Sequence, residues 1–189
     1  DPMALKARAW LTNEKGISEN VLSKRLVVLD LQITKRQAGV DADGYTASIV
    51  FPALNSAGTV VAVKWLWPRK VGDEYRESVT VTAKHRDPGK WMYGWLPEYR
   101  EQEALALVFS EWDVLALDGI GVQSFTFGPI SAAAAAAPTY WPPIAGRPVL
   151  VIAPNTDEAR REAGPAVAKC QKALAVARLA KWLQDAPQG

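Results

Sequence analysis

The chain has 189 residues, 49% hydrophobic and 22% charged, with 22 Lys and Arg against 20 Asp and Glu for a formal net charge of +2. That length suits one large domain or two small ones around a substantial core, and no apolar run approaches the ~18 residues of a membrane span. A single cysteine, Cys170, and a single histidine, His85, rule out an internal disulfide and argue against a zinc hydrolase or a Ser-His-Asp machine. The charge is unevenly spread: residues 1–100 hold fifteen Lys/Arg against eleven Asp/Glu, and residues 101–189 hold seven against nine. This permits a polyanion on the first half and a metal on the second without compelling either. The opening "DPMALK" lacks a secretory apolar region and reads as a remnant ahead of a natural Met3, so a cytoplasmic setting is expected.

In chain order, "ALKARAWLTNEKG" predicts a short amphipathic helix ended by Gly16, and "SENVLSKR" a second helix with Ser18 as N-cap. "LVVLDLQI" predicts a strand and "AGVDADG" a turn. "YTASIVFPAL" and "TVVAVKWLW" alternate as β-strands do, with "NSAG" as the hairpin turn between them. "ESVTVTAK" is a further strand and "HRDPGK" a polar turn. Residues 1–100 thus read as a small α+β unit with antiparallel sheet.

From Glu101 the rhythm changes. "ALALVFS" is a near-continuous apolar run, as in a strand covered on both faces. "EWDVLALDGIG" places Val114, Leu115 and Leu117 on a short helix closed by glycines. "VQSFTFG" is a second strand and "RPVLVIAP" a third buried one, with "SAAAAAAP" between them as a helical turn or a tether. The tail from Asp157 to Gln184 is predicted helical, with an apolar stripe at Val167, Cys170, Leu174, Ala177 and Leu183 and a break at Gly164-Pro165. Strand–helix–strand followed by strand–helix argues for parallel sheet with right-handed crossovers. The expected fold class is therefore α/β, with two domains, 1–100 and 101–189.

Ligands of an open parallel sheet collect outside the carboxyl ends of its strands. Glu111 directly follows "LALVFS", and Asn155, Asp157 and Glu158 directly follow "VLVIAP". Were these strands neighbours, their oxygen atoms would share one edge. Clustered carboxylates ask for a cation, and hard oxygen ligands favour Mg²⁺ coupled to substrate phosphates. The competing reading is that acids at helix N-termini simply cap the helix and complement its dipole.

Glu111, Ala116-Leu117, "GIGVQSFTFG" and "VLVIAPNTDEARR", in that order, resemble a TOPRIM domain. The variety that fits best is the primase of bacteriophage-type primase-helicases and their Twinkle relatives. "ALKARAWLTNEKGISENVL" is similar to the leading helices of that family, "IVFPALNSAGTVVAVKW" to its Phe-Pro and Lys-aromatic hairpin, and "WMYGW" to its Leu-Phe-Gly-Trp segment. The resemblance implies a TOPRIM-like parallel-sheet domain preceded by a small α+β subdomain. It also implies a primase RNA-polymerase module that makes short RNA primers on single-stranded DNA by Mg²⁺- or Mn²⁺-dependent nucleotidyl transfer. Its catalytic residues would be Glu111 and Asp157, with Glu111, Asn155 and Asp157 as metal ligands and Glu111 alternatively a general base. Three departures stand out: Trp112 where the family has glycine, Asn155 where it has the first aspartate of Asp-x-Asp, and Arg160 where it has glycine. Asp113 or Glu158 could compensate.

The resemblance further implies a cleft holding single-stranded DNA and nucleoside triphosphates. Lys64, Arg69, Lys70, Lys84, Arg86 and Lys90 are its candidate phosphate contacts, and Trp65, Trp67 and Trp91 its candidate stacking surfaces. Lys64 leads, standing at the Lys-aromatic position. A replicative helicase, fused or interacting, is the expected partner. No Walker A segment and no cysteine-rich zinc module occurs in the sequence, and no membrane role is expected. The alternative is a catalytically inactive TOPRIM module that binds single-stranded DNA or a helicase partner; a TOPRIM nuclease is a third reading. Cys170 is expected in the core.

Overall fold

The computed structural model describes residues 2–25, 27–29, 48–55, 59–71, 74–81, 92–96, 99, 103–137, 141–173 and 176–180. The "AGVDADG" and "HRDPGK" turns, with His85, lie outside the described residues, as do Trp91, Leu174 and Leu183. The chain divides into two compact units, one of Asp1–Pro52 with Ala62–Arg86 and the other of Ala53–Val61 with Asp87–Gly189.

The first unit opens with α1 (Pro2–Asn13) and α2 (Glu19–Arg25). Gly16, at φ +66°, turns the chain out of α1 in the left-handed region that glycine adopts at little cost. The closing bonds run from Lys15 N to Trp10 O (3.3 Å) and from Ile17 N to Leu11 O (3.0 Å). Ser18 caps α2 as its sequence suggests, its hydroxyl accepting from Val21 N at 3.4 Å. Trp10, Leu11, Ile17, Val21 and Leu22 are all buried.

Four strands follow in spatial order β1-β2-β3-β4: β1 (Val27–Leu29), β2 (Ser48–Leu54), β3 (Val60–Val71) and β4 (Glu74–Val81). β1 pairs with β2, and β3 with β4, antiparallel in both cases. The β2–β3 connection is framed by Asn55, whose backbone N donates to Thr59 O (3.0 Å) while its side-chain oxygen accepts from Thr59 N (2.9 Å). Such side-chain mimicry of a backbone turn is why asparagine recurs at these positions.

The second unit is built on a parallel sheet, ordered β6-β5-β7-β8: β5 (Leu105–Val108), β6 (Ser124–Thr126), β7 (Pro148–Val151) and β8 (Val176–Leu179). All three pairings are parallel. The chain leaves β5 through α3 (Glu111–Gly119) to β6, then crosses back through α4 (Ile130–Ala135) to β7 on the other side of β5. From β7 it runs through α5 (Asp157–Glu162) and α6 (Gly164–Lys172) to β8. Right-handed crossovers in opposite directions place α3 on one face and α4, α5 and α6 on the other. In keeping with this, α4 packs against both α5 and α6.

Met92 to Trp95, the described part of the "WMYGW" motif, pack against this sheet. Tyr93 makes an antiparallel bridge with Thr126 on β6, exchanging both backbone bonds (2.8 and 2.9 Å). Gly94 then fits against α3 and β6: a Cβ at that position would lie 2.6 Å from Val114 Cγ1 and 2.8 Å from Ser124 O. Tyr99 reaches back to donate its hydroxyl to Gly94 O at 2.9 Å. The alanine run is a packing surface, with Ala132, Ala133 and Ala136 buried in the core beside Ala163, Ala166 and Cys170.

Two expectations are overturned. The tail is not one helix: α6 ends at Lys172, and residues 176–179 form β8, extending the sheet beyond β7. Alanine-rich sequence favours helix locally, but the open edge of β7 offers unpaired backbone groups, and tertiary pairing overrides propensity. Ala177, assigned to a helical stripe, is instead a buried strand residue. The break at Gly164-Pro165 does occur, with Pro165 in the first turn of α6. Nor is β7 buried on both faces, since Pro148 and Leu150 are exposed while Val149 and Val151 are buried. Among the described residues, α3 packs over β5 and β6.

Candidate functional site

In this strand order the chain leaves β5 in one direction and returns on its other side as β7, so a crevice opens outside the carboxyl ends of those two strands. β5 and β7 are hydrogen-bonded neighbours with Leu107 opposite Val151, and Ile152 N donates to Leu107 O at 2.9 Å. Adjacent strands lie roughly 4.8 Å apart. Four residues beyond Leu107 comes Glu111; four residues beyond Val151 comes Asn155. The two segments singled out in the sequence thus leave adjacent strands at the same edge.

Each segment is fixed by a helix cap. Ser110 Oγ accepts from Asp113 N at 3.1 Å, starting α3 at Glu111. Thr156 Oγ1 accepts from Ala159 N at 3.1 Å, starting α5 at Asp157. Hydroxyls in this role satisfy amides that the helix itself leaves open. Glu111 and Asp113 in one first turn, and Asp157 and Glu158 in the other, complement the helix N-termini. Glu111 is buried at 5% exposure, Trp112 half-buried, and Asp113 and Glu158 exposed.

Arg160 is the residue that sequence reasoning undervalued. Its Nη1 donates to Asn155 Oδ1 at 2.7 Å and its Nη2 to Asp157 Oδ1 at 2.6 Å. One guanidinium therefore spans both side chains of the Asn-x-Asp element. Guanidinium nitrogens only donate, so the amide of Asn155 must present its oxygen. The same contact, then the charge of Arg160 and more weakly that of Arg161, holds the Asp157 carboxyl below its ordinary value of 3.8. The Asp157–Arg160 spacing of i, i+3 is legible as a helical ion pair. The reach to Asn155, five residues back and outside the helix, is not.

This arrangement tests the expected magnesium site. Asn155 contributes no charge, Asp157 is neutralised by Arg160, and among the described residues no group of three or more His, Cys, Asp or Glu side chains could hold a metal ion. As folded, the Asn155–Asp157 arm does not fit a divalent cation.

The candidate phosphate contacts lie partly in view. Lys64, on β3 opposite Val81, is half-buried. On the same strand, Trp65 pairs in register with Thr80, Trp67 with Ser78, Arg69 with Arg76 and Lys70 with Tyr75. Lys84, Arg86 and Lys90 lie outside the described residues.

At the opposite, amino edge of the sheet sits a second polar cluster that the sequence did not reveal. Arg147 is 2% exposed; its Nη2 donates to Glu103 O (3.1 Å) and Gln123 Oε1 (2.8 Å), and its guanidinium lies 5.6 Å from the Trp95 ring centre. Glu103, Gln123 and Arg147 each precede a strand, so the cluster ties together the starts of β5, β6 and β7. It lies at the end of the sheet opposite Glu111 and Asn155.

No protein-family model and no curated protein matches the sequence. Solved structures do. The catalytic core of the Escherichia coli primase aligns with a TM-score of 0.63 at 15% identity, over 100% of this chain and 68% of that one. A DnaG primase catalytic domain bound to single-stranded DNA gives 0.59 at 17%, over 100% and 67%. The zinc-binding and RNA-polymerase domains of the Aquifex aeolicus primase give 0.57 at 15%, over 90% of this chain and 48% of that one. A DNA primase domain from Pseudomonas aeruginosa gives 0.51 at 16%, with this chain spanning 59% of its length. The parallel sheet and its crossovers thus belong to a mixed α/β fold shared with TOPRIM-like primase catalytic domains.

Proposed function

We propose that this chain is the RNA-polymerase module of a DNA primase, building short RNA primers on a single-stranded DNA template by nucleotidyl transfer. One observation carries the reading: Glu111 and the Asn155–Asp157 segment leave neighbouring parallel strands at the switch point of a primase-like fold. In this reading Glu111 is the acid at the reacting end and serves as general base toward the primer 3′-hydroxyl. Asn155, Asp157 and Arg160 form the opposite wall. Lys64, Arg69, Lys70, Lys84, Arg86 and Lys90 hold template and triphosphate phosphates, and Trp65 supplies a stacking surface. The solved domain that carries single-stranded DNA supports a template of that kind. Mg²⁺ or Mn²⁺, which the family resemblance implies, would not be held by the Asn155–Asp157 arm, whose cation is Arg160. We assign residues 1–100 to a primase-type α+β subdomain and residues 101–189 to a TOPRIM-like domain. The bacteriophage-type primase-helicases remain the proposed family, with a helicase, fused or interacting, as partner.

A second reading has its own support. A rim with a neutral Asn155–Asp157–Arg160 set suits a module that binds single-stranded DNA or a helicase partner without catalysis. Incubation with single-stranded DNA, ribonucleoside triphosphates and Mg²⁺ or Mn²⁺ separates the two. Oligoribonucleotide product, lost in Glu111→Ala with DNA binding retained, supports the polymerase. No product under either metal, with DNA binding intact, leaves the binding module; cleavage of the DNA points to a nuclease.

A further inference from the structure

We propose that Arg160 is the resident cation of this rim: its guanidinium takes the place of a divalent metal ion between Asn155 and Asp157 and keeps that arm metal-free. The inference deepens the proposed function by stating how one wall of the same site is charged. It rests on that reading only for the site's importance, since the geometry stands by itself.

Three observations carry it. First, the fork is complete, with separate nitrogens of one guanidinium on two different side chains at 2.7 and 2.6 Å. The planar fork is suited to gripping two oxygens at once; the bond to the buried Asn155 is the firmer of the two, the exposed pair with Asp157 being screened by water. Second, the charges close. Asn155 is neutral, Asp157 is −1 and Arg160 is +1, so the set carries no net charge and makes no electrostatic demand for a dication. With aspartate at 155 and no arginine at 160 the same oxygens would carry −2, a match for one divalent ion. Third, the anchoring is unequal. Asn155 is buried at 8% exposure, whereas the Asp157 side chain is 91% exposed and that of Arg160 35%. The buried amide fixes the guanidinium in position, and the exposed carboxylate gains an ordered partner that water alone would not give it. A metal ion would have to displace the guanidinium from both oxygens and lie beside its positive charge.

The test is direct binding of Mn²⁺ to the full chain, without DNA or nucleotide, read from loss of the free-ion EPR signal and by calorimetry. Wild type is expected to show no Mn²⁺ uptake that depends on Asp157. Asn155→Asp/Arg160→Ala is expected to bind Mn²⁺ about tenfold tighter or more, because affinity follows ligand charge, and adding Asp157→Ala should remove that gain. Asn155→Asp/Arg160→Gln, which keeps a long hydrogen-bonding side chain, repeats the measurement should the alanine variant fold poorly; circular dichroism checks both. Two outcomes overturn the proposal: wild-type Mn²⁺ binding that Asp157→Ala abolishes, or folded double variants that bind no tighter than wild type. Because no primer synthesis is measured, failure here is distinct from failure of the polymerase reading.

Discussion

Gly94 offers the sharpest test of how the second unit is assembled. Gly94→Ala perturbs two things at once. The backbone there has φ +95°, where a Cβ costs about 1–2 kcal/mol. The new methyl would also stand 2.6 Å from Val114 Cγ1 and 2.8 Å from Ser124 O, an overpacking that typically costs about 1–3 kcal/mol. One neighbour is backbone and the other the stiff side chain of a fully buried valine, so neither gives way easily. Together these predict a loss of about 2–5 kcal/mol, or roughly 5–20 °C in melting temperature for a chain of this size. Gly146→Ala is the control. Gly146 has φ +75° but nothing within 4 Å of the added Cβ, so it feels conformational strain alone, about 1–2 kcal/mol. Thermal melts followed by near-ultraviolet circular dichroism report the difference. Melting temperatures within about 1 °C of each other would refute the claim that Gly94 is wedged between α3 and β6.

Arg147→Ala should lower stability by about 2–4 kcal/mol by leaving buried acceptors unmet; Arg147→Lys should not restore it, since a point charge cannot reproduce the planar fork over Trp95, and denaturant titration of both variants decides this. Burial pushes the Cys170 thiol up to about 12 from 9.0, so a disulfide reagent at pH 8 should label the native protein far more slowly than the denatured one; prompt stoichiometric labelling of native protein would contradict the packing. Between those two values the folded chain holds a proton that the unfolded chain releases, so this group makes stability fall as pH rises from 9 towards 12. The Asp157 carboxyl should titrate by NMR below 3.8 in wild type and move up towards that value in Arg160→Gln. The sign runs opposite to that of the thiol, because the contribution of this pair to stability is present above 3.8 and fades as pH falls through the lowered value.

The strand–helix–strand rhythm of the second unit was readable from the sequence because it rests on local signals. Apolar runs mark β5 and β7, Gly164-Pro165 marks the break between α5 and α6, and Ser18 and Gly16 mark helix ends in the first unit. The positions of Glu111 and Asn155 at strand exits were also legible. Their arrival at one edge needed only strand adjacency, which the β6-β5-β7-β8 order supplies. What the sequence does not show depends on tertiary pairing and on loop geometry rather than on local pattern. The tail beyond Lys172 carries helix-favouring residues, but β8 exists because β7 had a free edge: Val176 N donates to Arg147 O at 3.1 Å and Ala180 N to Val151 O at 2.8 Å. Asn155 and Arg160 appear in the sequence as two unrelated departures from a family pattern. Only the folded loop, which brings them within 2.7 Å, joins them into one substitution of charge.

The bridge between Tyr93 and Thr126 has a bearing on solubility. A sheet whose margin shows bare amides and carbonyls invites a second molecule to add a strand. By occupying the outer margin of β6 with its own chain, running in the opposite sense to the rest of the sheet, the protein blunts the template on which copies of itself could stack. Tyr93 therefore acts as a hem on that border, and a variant that frays there should reveal itself first as clumping.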